Sequence, residues 1–350
     1  TSLSSTLSWA GIGAAEAVVM AKETTSSFGW MESSLMGERT MSLRHGSHGV
    51  RISLNLPISL ASSLLTNTMS INEPKLWING EEVAAEATFE RCDPHTGAVV
   101  TRAPAATKEH LEQAVQAAQA AFTTWKCASN KATLLRGAAN KLEGLKDELI
   151  AMAVTEIGAT APWIGFNVHL ATGMLRAAAG LSIEGKVLTS GKPGCTSLAL
   201  RRPHGVCLAI APWNAPIILS IRSVATALAC GNTVIFKTSD ICPGVHLMLA
   251  KIFADFPPGV VNLVSVASSD APSHVATIIE NHLVKHVNFT GSTAVGRKIA
   301  VTAAENLKPV LLELGGKAPL LVRGDCGPIL DDVVNSICFG SILNAGQICM

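Results

Sequence analysis

The chain has 350 residues, which is enough for about two domains with a sizeable buried core. Hydrophobic residues make up 48% and charged residues 15%, a composition that favours a globular fold over disorder. The 27 Lys and Arg against 26 Asp and Glu leave a formal charge of +1, so bulk charge predicts neither nucleic-acid nor acidic-lipid binding.

The absence of tyrosine excludes enzymes that use a tyrosine acid or nucleophile, such as the Tyr-x-x-x-Lys alcohol dehydrogenases and the aldo-keto reductases. The nine cysteines are dispersed and form no C-x-x-C pair, which argues against a disulfide framework or a zinc cage. We therefore expect a protein of a reducing compartment, in the cytoplasm, without a bound metal.

Residues 1–68 are rich in serine and show no sustained helical or strand periodicity. We expect a disordered or non-native leader. The alternative is a targeting peptide, which few arginines and no clear cleavage pattern support. Residues 52–72 are uncharged, but Ser, Asn and Thr interrupt the leucines, so we predict no membrane span there.

The sequence pattern changes at Met69. Shortly after it, Leu76 to Gly80 predicts a short strand and a turn. Thr107 suits the N-cap of a helix whose apolar face carries Leu111, Val115, Ala118 and Phe122. A second helix is predicted with the buried stripe Leu134, Leu135, Ala138, Leu142 and Leu149.

From residue 206 onwards, short apolar runs alternate with helical segments. The predicted strands are 206–211, 233–236, 260–264 and 286–289, and the predicted helices are 217–229, 243–254, 271–281 and 293–306. This alternation predicts an α/β domain with a doubly wound parallel sheet. Such sheets bind ligands beyond the carboxyl ends of their strands, so functional residues are expected directly after each strand.

Residues 185–205 interrupt this alternation with two extended arms around a Gly191-Lys192-Pro193-Gly194 turn. The pattern predicts a protruding hairpin. Because an isolated hairpin is marginally stable in water, we expect it to pair with a second subunit.

Two strand ends carry polar motifs. Pro212-Trp213-Asn214 places an amide at the mouth of the sheet, where it could stabilise an oxyanion or be a satisfied structural asparagine. Lys237 and Asp240 could clasp the hydroxyls of a ribose; alternatively, Ser239 or Asp240 caps the following helix.

Two glycine-containing segments follow. At 289–296, free N–H groups at a helix start could hold a pyrophosphate, although the spacing is not G-x-G-x-x-G. At 313–317, Glu313 beside two glycines is either a general base or a turn cap.

Cys349 lies near the end of the sequence, in Asn344-Ala345-Gly346-Gln347-Ile348-Cys349. Most lone cysteines are packing residues. Together with the Glu313 carboxylate and the Asn214 amide, however, a thiolate would complete the groups needed for covalent acyl transfer. A neighbouring nucleotide site would add a hydride acceptor.

In order and rough spacing, these five motifs resemble those of the aldehyde dehydrogenase superfamily, over about Met69 to Met350. Within it, the chain looks most like the salicylaldehyde and benzaldehyde dehydrogenase branch. The residues that suggest this branch are Arg222-Ser223, the segment 158–163 and Asn167-Val168-His169.

The resemblance implies roles for individual residues. Cys349 would be the nucleophile, Asn214 the oxyanion donor and Glu313 the base that activates water. The implied cofactor-binding residues are Ile210, Ala211, Pro212, Trp213, Lys237, Asp240, Phe289, Gly291, Ser292, Val295, Gly296, Leu314 and Gly315. The implied cofactor is NAD; NADP stays open because Asp240 stands where NAD-preferring members usually have Glu.

The resemblance also implies a domain plan. Residues 69–313 would form the NAD(P)-binding domain, with 185–205 as the oligomerisation hairpin of a homodimer or homotetramer. Residues 314–350 would be the start of a second α/β catalytic domain, which is expected to be truncated.

The implied function is the NAD(P)+-dependent oxidation of an aldehyde, with an aromatic, salicylaldehyde-like substrate, through a cysteine thiohemiacetal and thioester. Two alternatives stay open. One is a catalytically incompetent dinucleotide-binding fragment. The other is a CoA-acylating semialdehyde dehydrogenase, which is less favoured because such enzymes generally lack a base at the position of Glu313. No nucleic-acid or membrane partner is expected.

Overall fold

The computed structural model describes residues 70–181 and 183–349, together with three strands between residues 32 and 52. Thr1–Met69 and Ser70–Met350 are two separate compact units. In the first unit, the antiparallel strands β1 (Glu32–Leu35), β2 (Glu38–His45) and β3 (His48–Ile52) pair in chain order. Sequence periodicity did not predict them. The expectations for 1–31 and for most of 52–72 lie outside the described residues.

The second unit is built on a seven-stranded sheet. Five of its strands are parallel, namely β10 (Val206–Ile210), β11 (Thr233–Lys237), β12 (Val261–Val264), β13 (Val284–Gly291) and β14 (Val310–Leu314). The antiparallel strands β4 (Leu76–Ile78) and β5 (Glu81–Val83) extend one edge. Separately, β6 (Thr88–Cys92) pairs with β7 (Val99–Pro104).

The strand order is β14-β13-β10-β11-β12-β4-β5. The chain therefore runs outward from β10 to β12 and then returns to place β13 on the other side of β10. This reversal creates a topological switch point between β10 and β13, where open α/β sheets bind their ligands. The predicted doubly wound parallel sheet is confirmed.

Nine α-helices are described in the second unit. They are α1 (Lys108–Trp125), α2 (Lys131–Gly144), α3 (Lys146–Ile157), α4 (Ala161–Ala179), α5 (Pro216–Ala229), α6 (Pro243–Met248), α7 (Ala271–Glu280), α8 (Thr293–Glu305) and α9 (Leu330–Ile342). Thr107 caps α1 as predicted: its hydroxyl accepts the His110 N–H while the His110 ring accepts the Thr107 N–H.

Alternate residues of the central strands face two different cores. Phe236 and Leu263 pack with α2, α4 and α5 on one face. Ile235 and Val264 pack with α1, α7 and α8 on the other. Because both faces are covered, the strands are apolar throughout, as their uninterrupted hydrophobic runs indicate.

Two helix predictions need correction, and one helix was not predicted. The second predicted helix is two helices that meet at Leu145, because Gly144 ends α2; Leu149 therefore lies in α3. The helix predicted over 243–254 is α6 followed by a 3-10 segment, Leu249–Phe253. Helix α4 was not predicted at all.

The hairpin predicted at 185–205 is present as β8 (Lys186–Leu188) paired antiparallel with β9 (Ser197–Ala199). Val187 is 74% exposed and Leu198 64% exposed. At the other end of the unit, no residue from 315 to 349 is buried. One helical segment of the described residues, Gly324–Gly346, has the length and apolar composition of a membrane span.

Candidate active site

A cavity of about 360 Å³ opens at the switch point, beyond the carboxyl ends of β10, β13 and β14. The three predicted catalytic residues, Cys349, Asn214 and Glu313, line the same cavity. The predicted cofactor residues that also line it are Pro212, Trp213, Gly291, Ser292, Leu314 and Gly315. The structure thus brings together residues that lie up to 137 positions apart in the sequence, from 212 to 349.

The segment that carries Cys349 is bonded to the turn that carries Asn214. The Asn214 side chain donates from Nδ2 to the Gln347 carbonyl at 2.7 Å. The Asn214 carbonyl accepts from Asn344 Nδ2 at 3.1 Å and from the Trp163 indole at 2.9 Å. One Nδ2 hydrogen is used for Gln347, so the second can face a developing oxyanion.

The backbone before Cys349 is left-handed over three successive residues, Asn344 (φ 50°), Ala345 (φ 56°) and Gly346 (φ 73°). This conformation suits Gly and, less well, Asn, whereas Ala in it costs on the order of 1–2 kcal/mol. Leu343 and Ile348 pack on the core at either end of the turn. Packing and the Asn214 hydrogen bonds therefore hold a strained turn beneath the exposed Cys349.

Glu313 meets two residues that line or border the cavity. In the sheet, Glu313 on β14 lies opposite Thr290 on β13. Arg222 of α5 donates to the Thr290 hydroxyl at 3.0 Å and lies 3.9 Å from the Glu313 carboxylate. Because Arg222 and Glu313 are 38% and 50% exposed, the ion pair contributes little to stability, but it places a fixed positive charge beside the carboxylate.

Lys237 and Asp240 lie apart from the cavity, at the carboxyl end of β11. Lys237 is only 7% exposed, and in the described part of the chain its ammonium makes no hydrogen bond. Burial lowers the pKa of Lys237, and the nearby Asp240 opposes this shift. A buried ammonium without a hydrogen-bond acceptor is costly, so this position suits a ligand that supplies hydroxyl oxygens.

The start of α8 supplies the other part of a nucleotide site. The Ser292 hydroxyl accepts the Val295 N–H at 3.4 Å, so this N–H is already bonded. The N–H groups of Thr293 and Ala294 have no intrahelical acceptor and can bind an anion. Gly296 allows α8 to approach β14: an added Cβ would lie 2.5 Å from Leu314 Cδ2.

The remaining predicted cofactor residues are placed as follows. Ile210, Ala211 and Phe289 are buried beside the switch point. Val295 is 47% exposed on α8. Their contact with a cofactor stays a prediction.

Sequence reasoning missed three residues of the site. Thr290 belongs to the predicted phosphate-binding segment 289–296, but its position opposite Glu313 follows only from the sheet register. Trp163 and Asn344 hold the Asn214 turn from distant parts of the chain. The Asn-Ala-Gly sequence at 344–346 could have indicated a left-handed turn, because Asn and Gly tolerate positive φ.

Comparisons with known proteins agree with this architecture. Residues 77–350 match the family described as the aldehyde dehydrogenase family. Vanillin dehydrogenase of Pseudomonas sp. (strain HR199 / DSM 7063) is 49% identical over 284 residues, which cover 79% of this chain and 58% of the relative. The chain thus spans little more than half the length of this relative.

Solved structures of aldehyde dehydrogenases also match this chain. Salicylaldehyde dehydrogenase from Pseudomonas putida G7, solved with salicylaldehyde, matches with a TM-score of 0.77 and 38% identity, over 79% of this chain and 59% of that one. An NAD-dependent aldehyde dehydrogenase from Sinorhizobium meliloti matches with a TM-score of 0.75 and 32% identity, over 80% and 57% of the two chains.

Proposed function

Because the chain belongs to the aldehyde dehydrogenase family, we propose that it supplies the dinucleotide site and the nucleophile for NAD(P)+-dependent oxidation of an aromatic aldehyde to its acid. The observation that carries the proposal is the cavity at the switch point. It brings the thiol of Cys349, the amide of Asn214 and the carboxylate of Glu313 to one place.

Each of these groups has a distinct task. The Cys349 thiolate attacks the aldehyde carbon and forms a thiohemiacetal. The second Nδ2 hydrogen of Asn214 stabilises the oxygen that becomes negative in this step. After oxidation to the thioester, Glu313 takes a proton from water, which attacks the acyl carbon and releases the acid.

The residues at the nucleotide site fit a dinucleotide. The buried Lys237 ammonium can donate to ribose hydroxyls, and the free N–H groups at the start of α8 can bind a phosphate. When bound, NAD(P)+ supplies the hydride acceptor. Asp240 lies on the Lys237 turn, and its negative charge would oppose a 2′-phosphate, so we propose NAD as the preferred cofactor.

The aromatic substrate class is inferred from the relatives. Their names give vanillin and salicylaldehyde as substrates of the matched proteins. The Arg222-Ser223 pair and the segment around Trp163 and Asn167 are the positions at which this chain resembles that branch. Arg222 and Trp163 contact the walls of the cavity through Thr290 and Asn214.

The proposal extends to assembly and location. The exposed apolar side chains of the β8–β9 hairpin favour pairing with a second copy, in a homodimer or homotetramer. All cysteines in the described residues are free thiols, which suits a cytoplasmic protein.

A second candidate is dinucleotide binding without catalysis. One observation favours it: no residue from 315 to 349, the segment that carries Cys349, is buried. A CoA-acylating enzyme is less favoured, because Glu313 lines the cavity and can activate water.

The two candidates are separated by comparing the chain alone with a chimaera that continues it with the C-terminal part of the vanillin dehydrogenase. We expect the chimaera to form NADH from NAD+ and salicylaldehyde, and its Cys349→Ser variant to form none, because an alcohol is far less ionised than a thiol. A folded chimaera that binds NAD+ but forms no NADH would contradict the catalytic proposal. Stimulation only by CoA would favour the acylating alternative.

A further inference from the structure

His246 of α6 is a fully buried imidazole outside the cavity. Its Nδ1 accepts a hydrogen bond from the Ser239 N–H at 2.9 Å. An accepting Nδ1 carries no proton, so the neutral ring has its hydrogen on Nε2. The ring is thereby bonded to the turn that begins with Lys237.

The other ring nitrogen faces the end of the same turn. Nε2 lies 3.5 Å from the Sγ of Cys242, the residue that precedes α6. The two ring nitrogens therefore contact the turn between β11 and α6 at two points, Ser239 and Cys242.

The ring itself is firmly held. The buried Glu156 carboxylate accepts the N–H groups of Gly244 and Val245 at 2.8 and 3.0 Å, which anchors the start of α6 to α3. An added Cβ on Gly244 would lie 2.6 Å from Glu156 Oε1, so the approach requires glycine. Phe236 packs edge-on at 5.2 Å from the His246 ring.

We propose that His246 is a positioning residue of the nucleotide site: it fixes the Ser239 backbone, and through it the turn that presents Asp240 beside Lys237, relative to the start of α6. The inference rests on the proposed dinucleotide site and extends it by one residue. Lys237 is held by the pairing of β11 with β10 and β12, whereas Asp240 directly follows Ser239 outside the sheet. The position of the Asp240 carboxylate relative to the Lys237 ammonium therefore depends on the backbone that His246 holds.

The charge state of the ring agrees with this role. Burial, with a smaller effect of Lys237, lowers the pKa of His246 to about 3. The ring stays neutral near neutral pH and keeps its Nδ1 lone pair for Ser239. A protonated ring would lose this acceptor and place a second buried cation near Lys237.

Two amide substitutions distinguish the roles of the two ring nitrogens, Nδ1 and Nε2. In His246→Asn the side-chain oxygen can occupy the Nδ1 position and accept from Ser239, whereas in His246→Gln the amide reaches the Nε2 position. We expect calorimetric titration with NAD+ to give a Kd within about threefold of wild type for Asn and about tenfold weaker for Gln. Thr233→Val is the matched control, because Thr233 bonds the Ala118 carbonyl at the opposite end of β11 and should leave the Kd unchanged.

A double-mutant cycle tests whether His246 acts through Asp240. In the Asp240→Ala background, we expect His246→Gln to weaken NAD+ binding by less than about twofold. A full tenfold loss in that background would overturn the proposal, as would equal Kd values for the Asn and Gln variants. If wild type does not bind NAD+, the proposed cofactor site fails, and this inference with it.

One measurement on the wild-type protein avoids the risk that a variant misfolds. The imidazole nitrogen resonances of a buried, neutral histidine should show the Nε2–H form and stay unchanged on acidification to about pH 5. We expect these resonances to shift when NAD+ saturates the protein. Resonances of the Nδ1–H form would contradict the Ser239 hydrogen bond and overturn the proposal.

Discussion

At the residue scale, the candidate site includes two buried groups that make no hydrogen bond within the described residues. They are the Lys237 ammonium and Asn214 Oδ1. Burying such groups unpaired is costly, so both positions suit contact with a bound molecule. Cys349 and Glu313, by contrast, are exposed and line the cavity.

Removing the Lys237 ammonium should weaken cofactor binding. We expect Lys237→Ala to reduce NAD+ affinity by ~1–3 kcal/mol, which is the loss of a charged hydrogen bond. Calorimetric titration of the 350-residue chain measures it. Lys251→Ala is the control, since Lys251 forms an exposed ion pair with Glu148. Equal affinities of wild type and Lys237→Ala would remove Lys237 from the site.

Replacing Glu313 should separate formation of the thioester and NADH from hydrolysis of the thioester. In the chimaera, Glu313→Gln should permit at most one NADH per active site and then stall as a Cys349 thioester, because only deacylation needs activated water. Rapid-mixing absorbance and intact mass spectrometry follow both products. Steady turnover would contradict the assigned base, whereas loss of the first turnover would assign Glu313 to activation of the thiol.

At the element scale, close packing of α8 on β14 borders the cavity at the switch point. Gly296 faces Leu314, and an added Cβ would come within 2.5 Å of its Cδ2. Leu314 also lines the cavity. The glycine therefore sets the distance between the start of α8 and the strand that carries Glu313.

Adding a methyl group at this contact should destabilise the unit. We expect Gly296→Ala to lower the free energy of unfolding by about 1–3 kcal/mol through overpacking. Gly173→Ala is the matched control: it lies in α4 with no atom within 4 Å of an added Cβ, and should stabilise by roughly 0.5–1 kcal/mol. Chemical denaturation gives both values. A neutral or stabilising Gly296→Ala would show that Leu314 moves aside freely.

Local sequence patterns predicted the elements that depend on local chemistry. The Thr107 cap, the buried strands and the residues at their ends follow from spacing and composition. Long-range pairing could not be read in this way: Trp77 of β4 pairs with Leu263 of β12 although 186 positions separate them. For the same reason, the contact of Arg222 with Thr290 became visible only in the fold.

At the scale of the whole molecule, buried ionisable groups make stability depend on pH. Burial lowers the pKa of His246 to about 3 and raises that of Glu156. The two shifts change the stability of the folded protein with pH in opposite directions. His246 contributes stability above the pKa of about 6.5 that it has when unfolded, and this is lost as pH falls. Glu156 contributes stability at low pH, which is lost as pH rises through its folded pKa.

The His246 contribution can be isolated by comparing wild type with His246→Asn. When the pH falls from ~7.5 to ~5, the histidine binds a proton in the unfolded chain but not in the folded protein. Wild type should therefore lose ~2 kcal/mol more stability than the variant. Other titrating groups, Glu156 and the half-buried His286 among them, are shared by both proteins and cancel in the difference. Denaturant titrations at several pH values measure it, with His282→Asn as the exposed control. Because the loss depends only on a folded pKa well below ~5, parallel stability curves for wild type and His246→Asn would mean that the folded protein can protonate this ring.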